Sequence, residues 1–241
     1  MELYYTDKKN IGAKYLNIIG NEAHHIQKVM RHKIGDVIYV TDGEGTEYQV
    51  VITKIGNKNI EAEILTKNRK PREPKCQITL AASIIKGKHM DLVVEKATEL
   101  GVYNILPVLT ERTIARISEK KAERYQKIML SAMKSSTRTY LPALLKPMKF
   151  DELLKTANNY DLAILAYEDE DTKNRLADTI KENLLHKVLL IIGPEGGFTA
   201  EEIKLAKQHN VRCFSLGLRR LRAETAAITA LSLLLYELKE I

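Results

Sequence analysis

The 241-residue sequence predicts an α/β chain, with a small β-rich unit first and a parallel sheet covered by helices second. Three observations carry this. The first 66 residues alternate polar and apolar positions between tight turns, as short half-buried strands do. Residues 67–75, Lys67-Asn-Arg-Lys-Pro-Arg-Glu-Pro-Lys75, then break every pattern with two prolines and five basic residues, which suits a linker with a basic face. Beyond them, continuous apolar runs alternate with helical periods, the grammar of strands buried on both faces of an open sheet.

In the first part, Asn21 is positioned to cap a short helix with apolar residues Ala23, Ile26, Val29 and Met30. Strands follow at 36–40, 46–54 and 59–66. Asp42-Gly43-Glu44-Gly45 turns the chain between the first two, and Gly56-Asn57 between the next pair. Short strands with tight turns suggest a compact barrel. In the second part, strands are expected at 76–84, 102–109, 161–166, 188–192 and 211–215. Helices are expected at 88–100, 118–134, 172–183, 200–209 and 223–240. Gly101 sits where a helix C-cap wants a left-handed residue.

Composition narrows the function classes. Hydrophobic residues are 44% and charged residues 29%, a globular balance rather than a disordered one. The net charge of +7 suggests a polyanionic partner. Cys76 and Cys213 make no disulfide framework and read as buried thiols. The six histidines show no metal-ligand spacing, and adjacent His24 and His25 point to different helix faces, so no metal is expected. No apolar run reaches membrane-spanning length, and Met1-Glu2-Leu3 starts no signal peptide. A cytoplasmic chain with no membrane partner is the expectation.

Two loops stand out. Val188–Ile192 opens into Gly193-Pro-Glu-Gly-Gly-Phe-Thr199, at the carboxyl end of a buried strand. Ligands of open α/β sheets bind at such ends. The next helix is tightly specified, with Thr199 and Glu202 spaced as a capping box and Phe198 and Ile203 as a hydrophobic staple. The loop reads either as a glycine-rich turn or as a ligand cradle. It is not a GxGxxG or P-loop sequence. The second loop, Leu216-Gly-Leu-Arg-Arg-Leu-Arg222, follows the last strand. Its arginines are either a solvated charge run or face an anion, while Leu216, Leu218 and Leu221 would cover an apolar ligand. Glu224 complements the following helix dipole, and Thr225-Ala226-Ala227 are small enough for close approach. Asp91, Glu95 and Glu99 form an acidic helix stripe, read as solvated or paired.

Ile191-Ile-Gly-Pro-Glu-Gly-Gly-Phe-Thr199 followed by Leu216-Gly-Leu-Arg-Arg-Leu-Arg-Ala-Glu-Thr-Ala226 resembles the signature of the RsmE family, the 16S ribosomal RNA uracil-N3 methyltransferases of the SPOUT superfamily. His25-Ile-Gln-Lys-Val-Met-Arg31, Gly35-Asp36 and Asp42-Gly43 resemble its PUA-like barrel. Lys86-Gly-Lys-His-Met90, Lys96-Ala-Thr-Glu-Leu-Gly101 and Glu111-Arg-Thr113 resemble the start of its catalytic domain, so the likeness covers nearly the whole chain. Relatives often carry Glu-Gln-(small)-Gly-Arg where this chain has Lys134-Ser-Ser-Thr-Arg138.

The resemblance implies a PUA-like RNA-binding barrel over 1–70 and a SPOUT methyltransferase domain over 74–241, with a trefoil knot and a homodimer. It implies S-adenosylmethionine (SAM) held by Ile192, Gly193, Glu195, Gly196, Gly197, Leu216, Gly217, Leu218, Leu221, Thr225 and Ala226. Arg222 and Arg138 would be catalytic, and Lys28, Arg31, Lys86 and Arg112 would bind 16S rRNA in the small ribosomal subunit. Competing readings are a non-catalytic RNA-binding factor and a SPOUT enzyme acting on tRNA or a ribose hydroxyl.

Overall fold

The computed structural model describes residues 2–115, 117–180 and 184–241. The end of the helix expected at 172–183 therefore lies outside the described residues. The chain divides into two compact units: Met1–Glu73 with Leu130–Leu141, and Pro74–Met129 with Pro142–Ile241.

The first unit is a five-stranded sheet. Its elements are β1 (Leu3–Tyr5), β2 (Tyr15–Ile19), α1 (Gly20–His24), β3 (Val37–Thr41), β4 (Thr46–Ile55) and β5 (Asn59–Arg69). The strand order is β1-β3-β4-β5-β2, antiparallel except for the β1–β3 pair. Every second residue faces one core: Leu16 and Ile18, Ile38 and Val40, Val50 and Ile52, Ile60 and Ala62. Register shifts at Gln49/Val50 and Ile52/Lys54 bend the long β4–β5 ribbon. The sheet curls far enough that Thr6 Oγ1, just after one edge strand, donates to the carbonyl of Asn17 in the other edge strand at 2.6 Å. The 42–45 turn closes on Asp42, whose Oδ1 accepts from the N–H of Glu44 (2.8 Å) and of Thr46 (3.0 Å).

Three expectations in this unit are corrected. Asn21 is not a cap, because β2 runs straight into α1 and extended Ile19 takes the N-cap position. Val29 and Met30 are 57% and 36% exposed. The helix continues over His25–Val29 as a π turn, with Met30 N–H on the His25 carbonyl at 3.0 Å, so the 3.6-residue spacing of apolar positions is lost there. The basic segment 67–75 is not all linker, since β5 extends through Lys67–Arg69 as an exposed strand, and Arg72 is tied down by Glu47.

The second unit holds β6 (Gln77–Ser83), α2 (His89–Glu99), β7 (Asn104–Leu109), α3 (Glu119–Ser135, whose last turns fall in the first unit), β8 (Ala143–Leu144), β9 (Met148–Lys149), α4 (Phe150–Lys155), β10 (Leu162–Ala166), α5 (Leu176–Thr179), β11 (Lys187–Ile192), α6 (Ala200–Gln208), β12 (Arg212–Phe214) and α7 (Ala223–Glu237). All its strand pairs are parallel, in the order β12-β10-β11-β6-β7-β8, with β9 also on β7. One face packs Ala81, Leu165, Leu189 and Ile191 with Phe150, Leu153, Ile203 and Ala206 from α4 and α6. On the other, α7 packs against α2 and β11. Gly101, at φ +104°, follows α2, and a side chain there would collide with Pro74 at 2.5 Å. The helix expected from residue 172 forms only the single turn of α5 among the described residues, because Asp171 and Asn174 make local turn hydrogen bonds first.

Candidate functional site

The carboxyl ends of β10, β11 and β12 meet in one pocket, the place where ligands of open α/β sheets bind. β11 supplies Ile192, Gly193, Pro194 and Glu195. The loop after β12 supplies Leu216, Gly217, Arg219, Arg220 and Leu221, and α7 supplies Ala223 and Ala226. The end of β10 adds Ala166, Tyr167 and Glu168.

The glycine loop is fixed from several sides before any ligand arrives. Thr199 Oγ1 accepts from the N–H of Glu202 (3.2 Å), and the Glu202 carboxylate accepts from the N–H of Thr199 (2.9 Å), completing the capping box. The same carboxylate's other oxygen accepts from the N–H of Glu111 (2.9 Å). The staple residues Phe198 and Ile203 are buried in one core cluster. Gly193 must lack a side chain because a Cβ would meet the Phe198 ring at 2.8 Å. Glu195 Oε1 accepts from the N–H of Lys86 at 3.1 Å, and Arg112 donates to the Gly196 carbonyl at 2.6 Å. On the second loop, Gly217 has φ +102° and its N–H donates to Ser215 Oγ at 3.1 Å. The first turn of α7 holds buried Glu224, whose Oε1 lies 2.9 Å from His89 Nδ1.

Of the residues expected to hold a cofactor, Ile192, Gly193, Glu195, Leu216, Gly217, Leu221 and Ala226 line this pocket. Gly196 and Leu218 line a neighbouring cavity instead, with Leu218 turned outward at 88% exposure. Gly197 has φ +69°, and a side chain there would collide with the Glu168 carboxylate, while Thr225 lies on the exposed side of α7. Ala166, Tyr167 and Glu168 were missed, as were Pro194 and Ala223 within the motifs, while Arg219 and Arg220, expected to face an anion, complete the lining. The signal was available for the first three, since β10 is an apolar strand ending one residue before Tyr167.

The two expected catalytic arginines are placed very differently. Arg222 is exposed at the N-cap of α7, between the lining residues Leu221 and Ala223, and its guanidinium has no hydrogen-bond or ion-pair partner among the described residues. Arg138 belongs to the first unit, is 3% exposed, and is gripped by Glu73 Oε2 at 2.7 and 3.1 Å. Glu73 Oε1 also accepts from the N–H of Thr139 (2.7 Å) and of Tyr140 (2.9 Å). Arg138 does not line the pocket; it anchors the 137–141 segment on Glu73. Lys134 pairs with Glu22 at 2.8 Å. Lys28 and Arg31 are exposed in the first unit; Lys86 and Arg112 are exposed beside the glycine loop. Of the acidic stripe, Asp91 pairs with Arg124, while Glu95 and Glu99 share Lys96 (2.8 and 2.9 Å).

Burial raises the Cys76 thiol pKa to about 12 and that of Cys213 to about 11, which makes both poor nucleophiles. Among the described residues no three His, Cys, Asp or Glu side chains converge on a metal position, and no helix is long and apolar enough to cross a membrane.

This arrangement has known counterparts. Residues 71–235 match the RNA methyltransferase domain family, and residues 18–65 match the RNA methyltransferase PUA domain. The class is therefore an RNA-modifying methyltransferase with an attached PUA domain. Ribosomal RNA small subunit methyltransferase E of Bacillus subtilis is 30% identical over 93% of this chain and 91% of its own. The protein of the same name from Synechocystis is 34% identical over 88% of this chain and 69% of its own. The crystal structure of the Neisseria gonorrhoeae ribosomal RNA small subunit methyltransferase E, bound to S-adenosyl methionine, superposes with a TM-score of 0.86 at 30% identity, covering 98% of this chain and 97% of that one. The chain belongs to the ribosomal RNA small subunit methyltransferase E family.

Proposed function

We propose that the chain transfers the methyl group of SAM to N3 of a uridine in 16S ribosomal RNA of the small subunit. One observation carries the reading: the glycine loop after β11 and the arginine-rich loop after β12 converge on a single pocket at the carboxyl edge of a parallel sheet. The residues fit SAM. Ile192, Leu216, Leu221 and Ala226 offer apolar walls to an adenosine, and the Glu168 carboxylate offers a counter-charge to a sulfonium. Bound SAM would supply an already activated methyl group, so the protein's share is positioning and charge control.

Uracil N3 carries a proton at neutral pH, and its loss leaves negative charge on O2 and O4. Arg222, permanently charged and without a partner among the described residues, is suited to stabilise that charge. Glu195 and Arg112 act earlier, by fixing the loop that orients the cofactor. Residues 1–70 would serve as the RNA-docking barrel, with Lys28 and Arg31 on phosphates, and residues 74–241 as the catalytic domain. A cytoplasmic homodimer with a trefoil knot completes the reading.

The test is methyl transfer from labelled SAM to naked 16S rRNA, assembled small subunits and tRNA, with the modified atom mapped. Label on N3 of one uridine in 16S rRNA is expected. Label confined to tRNA or to a ribose would overturn the assignment.

A further inference from the structure

The SAM pocket has a neighbour. A second cavity shares Glu168, Gly217, Arg219 and Arg220 with it and is otherwise walled by Arg112 and Asp169, together with Gly196 and Leu218. Three guanidinium groups thus face one small space. Arg112 spends one N–H on the Gly196 carbonyl, and its stem lies where a side chain on Gly196 would stand, at 3.3 Å from that missing Cβ. Arg220 makes one long contact, 3.5 Å, to the Glu195 carbonyl. Arg219 is exposed and has no hydrogen bond or ion pair to another described residue.

Two carboxylates share this cavity. Glu168 lies against Gly197, and Asp169 accepts from the Tyr167 hydroxyl at 3.4 Å. The lining sets three guanidinium groups against two carboxylates, and the surplus is positive, planar and multidentate, which matches a phosphate. We propose that this cavity is a nucleotide-phosphate subsite, in which Arg219, with the remaining donors of Arg112 and Arg220, grips the RNA strand at the target nucleotide while the adjoining pocket keeps the cofactor. The inference rests on the RNA-methylating reading. Its content is a division of labour: Arg112, pinned by Gly196, makes the phosphate grip dependent on the shape of the glycine loop.

The experiment compares the intact chain with Arg219→Ala and Arg219→Lys. Binding of naked 16S rRNA is measured by filter binding across a range of KCl concentrations, SAM binding by calorimetry, and methyl transfer in parallel. Arg219→Ala should weaken RNA binding roughly ten- to hundredfold, the worth of one charge-assisted hydrogen bond. It should also flatten the slope of log K against log salt by about 0.7, the value for one phosphate contact on a single strand, with any fall in SAM affinity much smaller than the fall in RNA affinity, although Arg219 also lines the adjoining pocket. Arg219→Lys should keep the slope and recover part of the affinity. SAM affinity falling in step with RNA affinity would return the cavity to the cofactor and overturn the proposal. Unchanged RNA binding and slope would overturn it as well. RNA binding that depends on Arg219 without any methyl transfer would remove the proposed reaction and leave the subsite standing.

Discussion

Arg138 in the first unit and Arg222 in the second are the same side chain put to opposite uses. Arg138 is buried, and its fork closes on Glu73, whose second oxygen collects two backbone N–H groups. Arg222 stands exposed at a helix start beside a pocket, with no hydrogen-bond or ion-pair partner among the described residues. A buried ion requires a partner and hydrogen bonds to offset its desolvation, so its geometry is fully determined by the fold. An exposed ion on a rigid loop leaves its charge available to something outside the fold. The contrast separates charges that hold the protein together from charges that act on a ligand. It predicts that the two kinds of damage dissociate.

The largest effect should come from breaking the buried pair. Arg138→Ala leaves Glu73 charged and enclosed, and should lower unfolding free energy by about 3–5 kcal/mol in urea titration. A loss below about 1 kcal/mol would mean that the pair behaves like a surface ion pair and that the distinction drawn above fails. Arg222→Ala should leave the urea midpoint where it is and reduce methyl transfer by roughly 10²–10³-fold, the usual cost of removing one donor from a developing anion. SAM binding should change little. Parallel loss of SAM binding and turnover would make Arg222 a cofactor ligand instead.

The smallest effect concerns pH. The Cys76 thiol, held neutral by burial, has its pKa raised to about 12 from an ordinary value of 9.0. A raised pKa favours the protonated fold, so this contribution is fully present below pH 9 and is lost as pH climbs toward 12. Cys76→Ala should therefore flatten the alkaline limb of the stability curve while costing a little stability at pH 7. An unchanged alkaline limb would place the titration on other groups, such as Tyr4 and Tyr5, whose pKa values burial also raises.

Much of the fold could be read before the structure, for identifiable reasons. The strands of the parallel sheet announce themselves because burial on both faces demands unbroken apolar runs such as Val188–Ile191. The capping box at Thr199 is legible because its two side chains act within four residues. What failed to show depends on distant partners. The two-residue strands β8 and β9 have too little length for a period to emerge, and only their neighbours make them strands. The π turn at His25–Val29 spoiled a helical stripe that looked regular. The site divides the same way. Loop residues with glycine and arginine signatures were found, whereas Tyr167 and Glu168 reach the pocket only because β10 lies between β11 and β12 in the sheet. Arg138 shows the reverse: a motif position that suggested chemistry is occupied by an anchor, because Glu73, 65 residues away, closes on it.

Glu202 carries a last consequence. Its two oxygens receive N–H groups from separate parts of the chain, Thr199 at the start of α6 and Glu111 after β7. Glutamine has the same reach but must turn its NH₂ toward one of those N–H groups, donor against donor. Neutralising this one residue would therefore unfasten either the cap or the 110–113 segment that carries Arg112. A single acceptor-only side chain thus acts as a shared rivet, and no uncharged isostere can fill its place.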